Sequence, residues 1–260
     1  MIKVTLGNGE IKEFDAPLSA FDAARELGEA KTACAAEIDG KVCDLRTTLT
    51  DGCTVKFLTF EDEQGQRAFN HTASHVLAQA VKRLFPATKL AIGPAIENGF
   101  YYDFDTEEPF TTDTLAKIEA EMKKIVKESI RLEHFTMAPD EAIKYLEEQG
   151  EPYKVELCQE HAGKGEPISF YKQGDFTDLC AGPHLMSTSP VKAFKLTSVT
   201  GAYWRGSEKN KMLTRIYGIS FPKKSMLDEY LALMEEAKKR DHRKLGKDCL
   251  LYTSDAADEA

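Results

Sequence analysis

A β-hairpin signal, a short capped helix and several short strands fill the first sixty residues, and alternating helical and strand-like periods follow. Together these observations predict an α+β chain of more than one folded domain. The expected order is a ubiquitin-like β-grasp domain, then a larger α+β domain with helices packed on a mainly antiparallel sheet, then a linker helix. A length of 260 residues is enough for two domains, each with its own core.

The elements follow in chain order. IKVTL, the turn GNG and EIKEF make the hairpin, with an Asn-Gly signal at its tip. Ser19 can cap the short helix AFDAARELG, which Gly28 ends. ACAAEID, KVCDL and CTVKFLTF read as short strands, and the polar run EDEQGQ at 61–66 reads as a boundary. A helix is expected from His71 to Phe85, with Ala73, Val76, Leu77, Ala80, Val81 and Leu84 facing inward and Pro86 closing it. Further helices are expected from Thr112, and from Pro139 to Gln149 with Gly150 as the stop. Strand-like runs lie at 100–105, 130–136, 153–158, 167–172, 191–199 and 211–217. From Lys223 the period is helical again, whereas CLLYTSDAADEA continues no pattern and reads as a foreign end. The expected domains are therefore 1–61, 62–222, a connecting helix at 223–247 and an atypical tail at 248–260.

Composition narrows the class. The chain is 42% hydrophobic and 30% charged, which describes an ordinary globular protein. No apolar run approaches the roughly 18–20 residues that cross a bilayer, and the N-terminus is not a signal peptide. Six scattered cysteines without an export signal point to the cytoplasm and to thiols that are buried, catalytic or metal-bound. A net charge of −9 argues against a general nucleic-acid coat but leaves room for a local RNA contact. The run KKRDHRKLGK at 238–247 is such a basic stretch, and equally a solvated helix end.

Chemistry concentrates in two pairs. His71 and His75 stand four apart on a helix, so both imidazoles leave one face. A zinc protease of the HExxH type would need Glu at position 72, where this chain has Thr. After 104 intervening residues, Cys180 and His184 form the second pair, with Gly182-Pro183 between them. The glycine and proline forbid a continuing helix, and a strand ending in a turn would present thiol and imidazole to one side. Four such side chains suit tetrahedral zinc, or three ligands plus water. The plain structural reading is a buried cysteine beside surface histidines. Tyr101 and Tyr102 alternate on a strand, so one is expected in the core. Trp204 suits packing as well as RNA stacking.

HTASH with CAGPH, AIGPAIENGFYYDF, PYKVEL, GAYWRGSEKNKMLTRIYG and AKKRDHRKLGK resembles the N-terminal half of bacterial threonyl-tRNA synthetases. The likeness covers residues 1 to about 247. It implies a TGS domain at 1–61, an editing domain at 62–222 and the family's linker helix at 223–247. The implied activity is hydrolysis of serine wrongly attached to tRNA(Thr), within an enzyme that joins threonine to that tRNA using ATP. Serine lacks one methyl of threonine, worth only about 1–3 kcal/mol of discrimination, so a second sieve is needed.

The resemblance also implies residue roles. His71, His75, Cys180 and His184 line the pocket, Lys154 takes part in catalysis, and Tyr102 and Asp178 frame the substrate. A positioned water is the expected nucleophile, with Cys180 the less favoured alternative. Zinc stays open: related alanyl editing proteins hold it at these four positions, whereas the threonyl domain works without it. ATP and a further zinc belong to a class II catalytic core absent from this chain. The implied partner is the aminoacylated 3′ end of tRNA(Thr), with no membrane; the full enzyme is expected to be a homodimer and this piece a monomer. Two rivals remain, a free-standing trans-editing deacylase and a non-catalytic RNA-binding or regulatory TGS module.

Overall fold

The computed structural model describes residues 1–162 and 167–254, with side chains described for 1–161 and 167–240. Met1–Pro222 form one compact unit, and a second unit begins at Lys223.

The N-terminal part is built as its turn chemistry predicts. Strands β1 (Ile2–Leu6) and β2 (Ile11–Phe14) pair antiparallel across a turn in which Gly9 takes φ +86°. The Ser19 hydroxyl caps α1 (Ala20–Glu26) by accepting the Asp22 amide at 3.1 Å. Strands β3 (Ala35–Ile38), β4 (Lys41–Cys43) and β5 (Thr54–Leu58) complete a sheet of order β2-β1-β5-β3-β4, in which β1 and β5 run parallel. Helix α1 buries Ala20, Ala23 and Ala24 in a core shared with Val4, Leu45, Leu49 and Val55. This is a β-grasp fold.

Next comes α2 (Glu63–Leu84), which starts eight residues before the predicted His71. The polar run at 61–66 contains the start of this helix: Asp62 is the N-cap residue, and Asp62 Oδ2 accepts the Thr59 amide at 2.9 Å. The helix is buried on nearly every side between Ala68 and Val81, although Leu84, expected inside, is exposed. Strands β6 (Lys89–Leu90), β7 (Ala95–Ile96) and β8 (Gly99–Asp105) precede α3 (Thr112–Glu128), which Thr111 caps. Then follow β9 (Leu132–Met137), α4 (Pro139–Glu148) and α5 (Pro152–Ala162).

Helix α5 corrects the strand expected at 153–158. Pro152 suits a first helical turn. The spacing is also helical: Tyr153 and Leu157 pack beside Trp204, while Val155 and Cys158 face Phe170. Strands β10 (Ile168–Gln173), β11 (Phe176–Leu179), β12 (Ala193–Tyr203) and β13 (Met212–Phe221) complete the unit, with a 3-10 turn at Trp204–Gly206.

Two antiparallel sheets result. One has the order β12-β13-β8-β6, with β7 also paired to β8, and the other β11-β10-β9. Helices α2 and α3 cover the larger sheet through Phe69, Val76, Leu77, Phe100, Tyr102 and Ile118. Tyr102 is the core member of the tyrosine pair, and Trp204 is buried against Tyr153 with its indole N–H on Glu156.

In the second unit, α6 runs Lys224–Ser254, beyond the predicted end near 247. Gly246 costs a helix only about 1 kcal/mol relative to Ala, and no proline follows it to force a stop. Residues 255–260 of the expected tail lie outside the described residues. No described helix is long and apolar enough to cross a membrane.

Helix α2 can approach the β-grasp sheet because position 65 has no side chain. A Cβ on Gly65 would lie 1.9 Å from the Thr59 carbonyl oxygen. Alanine ordinarily favours a helix by about 1 kcal/mol, but overpacking against backbone costs about 1–3 kcal/mol. Gly65→Ala is therefore expected to lower the urea midpoint. An unchanged or raised midpoint would contradict the close approach.

Candidate functional site

Four of the predicted site residues converge. His71 and His75 project from α2, Cys180 follows β11, and His184 follows a cis Gly182-Pro183 bond. One ligand atom from each lies within 4.8 Å of all the others. The His184 ring sits 4.1 Å, centroid to centroid, from both His71 and His75. Cys180 Sγ lies 3.3 Å from His71 Nε2 and 3.1 Å from His184 Nε2. The expected surface position of the histidines is corrected here: His75 and His184 are fully buried, and His71 is half-buried. The face that continues through Gln79 is likewise buried.

Thr72 determines how His184 is protonated, and the sequence reading missed it. Its hydroxyl donates to the Ala68 carbonyl at 2.9 Å and accepts the Leu185 amide at 2.9 Å. With its proton on that carbonyl, the 3.2 Å contact with His184 Nδ1 fits Nδ1–H as donor. His184 Nε2 then turns a lone pair toward Cys180. The Gly182 amide donates to Cys180 Sγ at 3.3 Å, leaving the S–H free to point at an imidazole.

Burial dominates the electrostatics of this cluster. It lowers His71 to about 4, against the opposing pull of Asp178, and lowers His75 to about 3. His184 falls well below its ordinary value by burial, reinforced by its two histidine neighbours. Burial also pushes the Cys180 thiol up to about 12, which keeps it protonated near neutral pH.

Behind the cluster lies the Asp178 carboxylate on β11. Its Oδ2 accepts the Tyr102 hydroxyl at 2.6 Å and stands 3.6 Å from His75 Nε2. Its Oδ1 meets the Lys154 ammonium at 2.7 Å, and both side chains are almost fully buried. Burial opposes ionisation of Asp178, yet the Lys154 cation, with His75 and Tyr102, holds it below the ordinary carboxylate range. Tyr102 is pushed well above its usual value by burial and by the Asp178 charge. Lys154, expected at the reacting centre, thus meets the cluster through Asp178. Gly93 lets its loop lie against Tyr102, because a Cβ there would fall 2.0 Å from the ring.

The cluster opens outward at His71. A cleft of about 310 Å³ is lined there by Gln64, Arg67, His71, Pro94, Gly182 and Pro183. On the other side of Cys180, a cavity of about 350 Å³ lies against Cys158, His161, Ser169 and Ala181. The residues also suit a divalent metal. They supply three imidazoles and a thiol in one small volume, and His75 Nδ1 is buried without a hydrogen-bond partner among the described residues.

Known proteins resemble the chain along its length. Residues 2–59 match the TGS domain, and residues 168–217 match the threonyl and alanyl tRNA synthetase second additional domain. The second match contains Asp178, Cys180 and His184. A threonine–tRNA ligase of Acetivibrio thermocellus is 60% identical over 254 residues, 97% of this chain and 40% of the relative. One from Caldanaerobacter subterraneus is 59% identical over 252 residues, covering 96% and 39%. A third, from Clostridium perfringens, is 57% identical over 257 residues, covering 98% and 40%. The chain spans about two-fifths of the length of these relatives.

The buried Lys154–Asp178 pair makes a stability test possible. Removing one member of a buried ion pair costs about 3–5 kcal/mol, whereas replacing both by uncharged groups is often neutral. Lys154→Met should lower the unfolding free energy accordingly, and Lys154→Met with Asp178→Asn should recover most of it. Equal stability of the single variant and the parent in urea would contradict the pairing.

Proposed function

We propose that this chain, which corresponds to the N-terminal part of bacterial threonine–tRNA ligases, removes serine wrongly esterified to tRNA(Thr). The observation that carries the reading is the pair of imidazole Nε2 atoms facing Cys180 beside an open cleft. The reaction is hydrolysis of the ester between the amino acid and the terminal ribose of the tRNA. A water held against His71 or His184 attacks the ester carbonyl, and an imidazole Nε2 accepts its proton. That proton passes to the departing ribose oxygen. The tetrahedral oxyanion is stabilised by fixed hydrogen-bond donors, while the Lys154 charge is engaged by Asp178 and acts by holding that carboxylate in place.

The pocket selects serine by size, since threonine needs room for one more methyl. Tyr102 and Asp178 fix the wall that sets this limit. Cys180 serves as a donor to one imidazole and not as a covalent nucleophile, because its thiol is held protonated and its sulfur already accepts the Gly182 amide. Should a zinc ion load the cluster, His71, His75, Cys180 and His184 would hold it, and it would supply Lewis acidity toward the ester and its attacking water.

On this reading residues 1–61 are the TGS domain, 62–222 the editing domain, and the helix from 223 onward a connector. Threonine activation with ATP, and the zinc that serves it, belong to the remainder of such a ligase. The partner is the charged 3′ end of tRNA(Thr), the compartment is the cytoplasm, and this stretch by itself is a monomer whereas the full ligase is a homodimer.

The test follows release of serine and of threonine from separately charged tRNA(Thr). The chain is expected to free serine and spare threonine, and His184→Ala to slow release by about 100-fold or more. A chelator arm separates metal-assisted hydrolysis, which it abolishes, from hydrolysis by the side chains alone. A folded chain that binds the tRNA and frees neither amino acid, or frees both equally, would overturn the proposal.

A further inference from the structure

The loop that carries Cys180 and His184 has few backbone partners of its own, and the β-grasp domain supplies them. Asp44, just after β4, has both carboxylate oxygens engaged. Oδ1 works locally, accepting the Arg46 amide at 2.9 Å and Arg46 Nη1 at 2.8 Å. Oδ2 reaches across the interface, where it accepts the His184 amide at 3.2 Å and the Tyr171 hydroxyl at 2.9 Å. Arg46 completes the grip. Its guanidinium donates to the carbonyls of Leu132 at 2.6 Å, Leu185 at 3.0 Å and Met186 at 3.3 Å. The pair is largely buried, with side-chain exposures of 13% and 18%.

These contacts hold the reactive ring from both sides. The Tyr171 ring lies 4.5 Å from the His184 ring, and the Tyr171 hydroxyl closes over Gly182, where a Cβ would fall 2.3 Å from it. Thr72 fixes the ring's Nδ1 side, while Asp44 fixes its backbone. Charge-assisted bonds to backbone in a partly buried setting are stronger than neutral ones and directional.

We infer that Asp44 and Arg46 are positioning residues for His184, so that the β-grasp domain forms part of the hydrolytic site. The inference rests on the proposed ester hydrolysis, but its structural half does not. Asparagine fills the volume of Asp44 yet cannot accept on both sides: one carboxylate oxygen becomes an amide that faces either Arg46 or the His184 amide. A misplacement of about 1 Å in such a site costs about 100-fold in rate.

The experiment compares the parent chain with Asp44→Asn, Asp44→Ala and a control, Leu49→Ala, which opens the β-grasp core and takes part in none of the hydrogen bonds of the Asp44–Arg46 clamp. Deacylation of seryl-tRNA(Thr) gives kcat and KM, urea unfolding gives stability, and histidine-labelled NMR reads the imidazole nitrogens. Both Asp44 variants should lose kcat by about 10- to 100-fold with KM little changed. They should also shift the His184 ring signals while those of His161 stay in place. Leu49→Ala should lose stability and keep kcat and the His184 signals. An Asp44→Asn chain with native kcat and native His184 signals would overturn the inference, as would an equal loss of kcat in Leu49→Ala. A parent chain that hydrolyses nothing while Asp44→Asn still shifts the His184 signals would locate the failure in the proposed reaction and leave the positioning intact.

Discussion

The buried carboxylate of Asp178 is the constraint on which the site depends. Taken out of water, it would be costly without its partners, and each partner comes from a different element: Lys154 from α5, Tyr102 from β8 and His75 from α2. Satisfying that one charge fixes how α2, α5 and the β11 strand meet. It also explains why a helix carrying two histidines and a glutamine is buried almost all round. The polar face of α2 is not turned to solvent but to β11, which carries Asp178, and to the loop after it, which carries Cys180 and His184.

A buried cluster follows from this arrangement, and the chemistry follows from that burial. Imidazoles held neutral by burial are proton acceptors, and each bond made by one of their nitrogens decides what the other can do. Thr72 bonds to α2 itself and to His184 Nδ1, which leaves Nε2 of that ring facing the cluster. The clamp from Asp44 and Arg46 adds a second domain to the same geometry. The cluster, its tautomer and its backbone support come from segments more than a hundred residues apart in the chain.

Much of this was legible in the residues and some was not. The Asn-Gly turn, the Ser19 and Thr111 caps and the two His/Cys pairs act locally, so their spacing revealed them. Helix α5 was misread as a strand because PYKVEL mixes a β-branched residue and an aromatic over a short run; its helical faces are visible only once Trp204 and Phe170 are in place. The start of α2 was hidden by polar residues that belong to a first helical turn. Thr72 went unread because it stands one residue from His71 and leaves the helix on another face. Asp44 and Arg46 carry no local sign at all, since their partners lie 86 to 140 positions away.

The most direct measurement is where a stable serine compound sits. A seryl group joined to adenosine through an amide cannot be hydrolysed and can be soaked into crystals of the chain. Its seryl moiety is expected between His71, Cys180 and Pro183, with the adenosine in the cleft at Gln64 and Arg67. Density instead in the cavity between α3 and β12 bordered by Leu115, Glu119 and Lys195, with the histidine cluster untouched, would contradict the assignment of this cluster as the hydrolytic site.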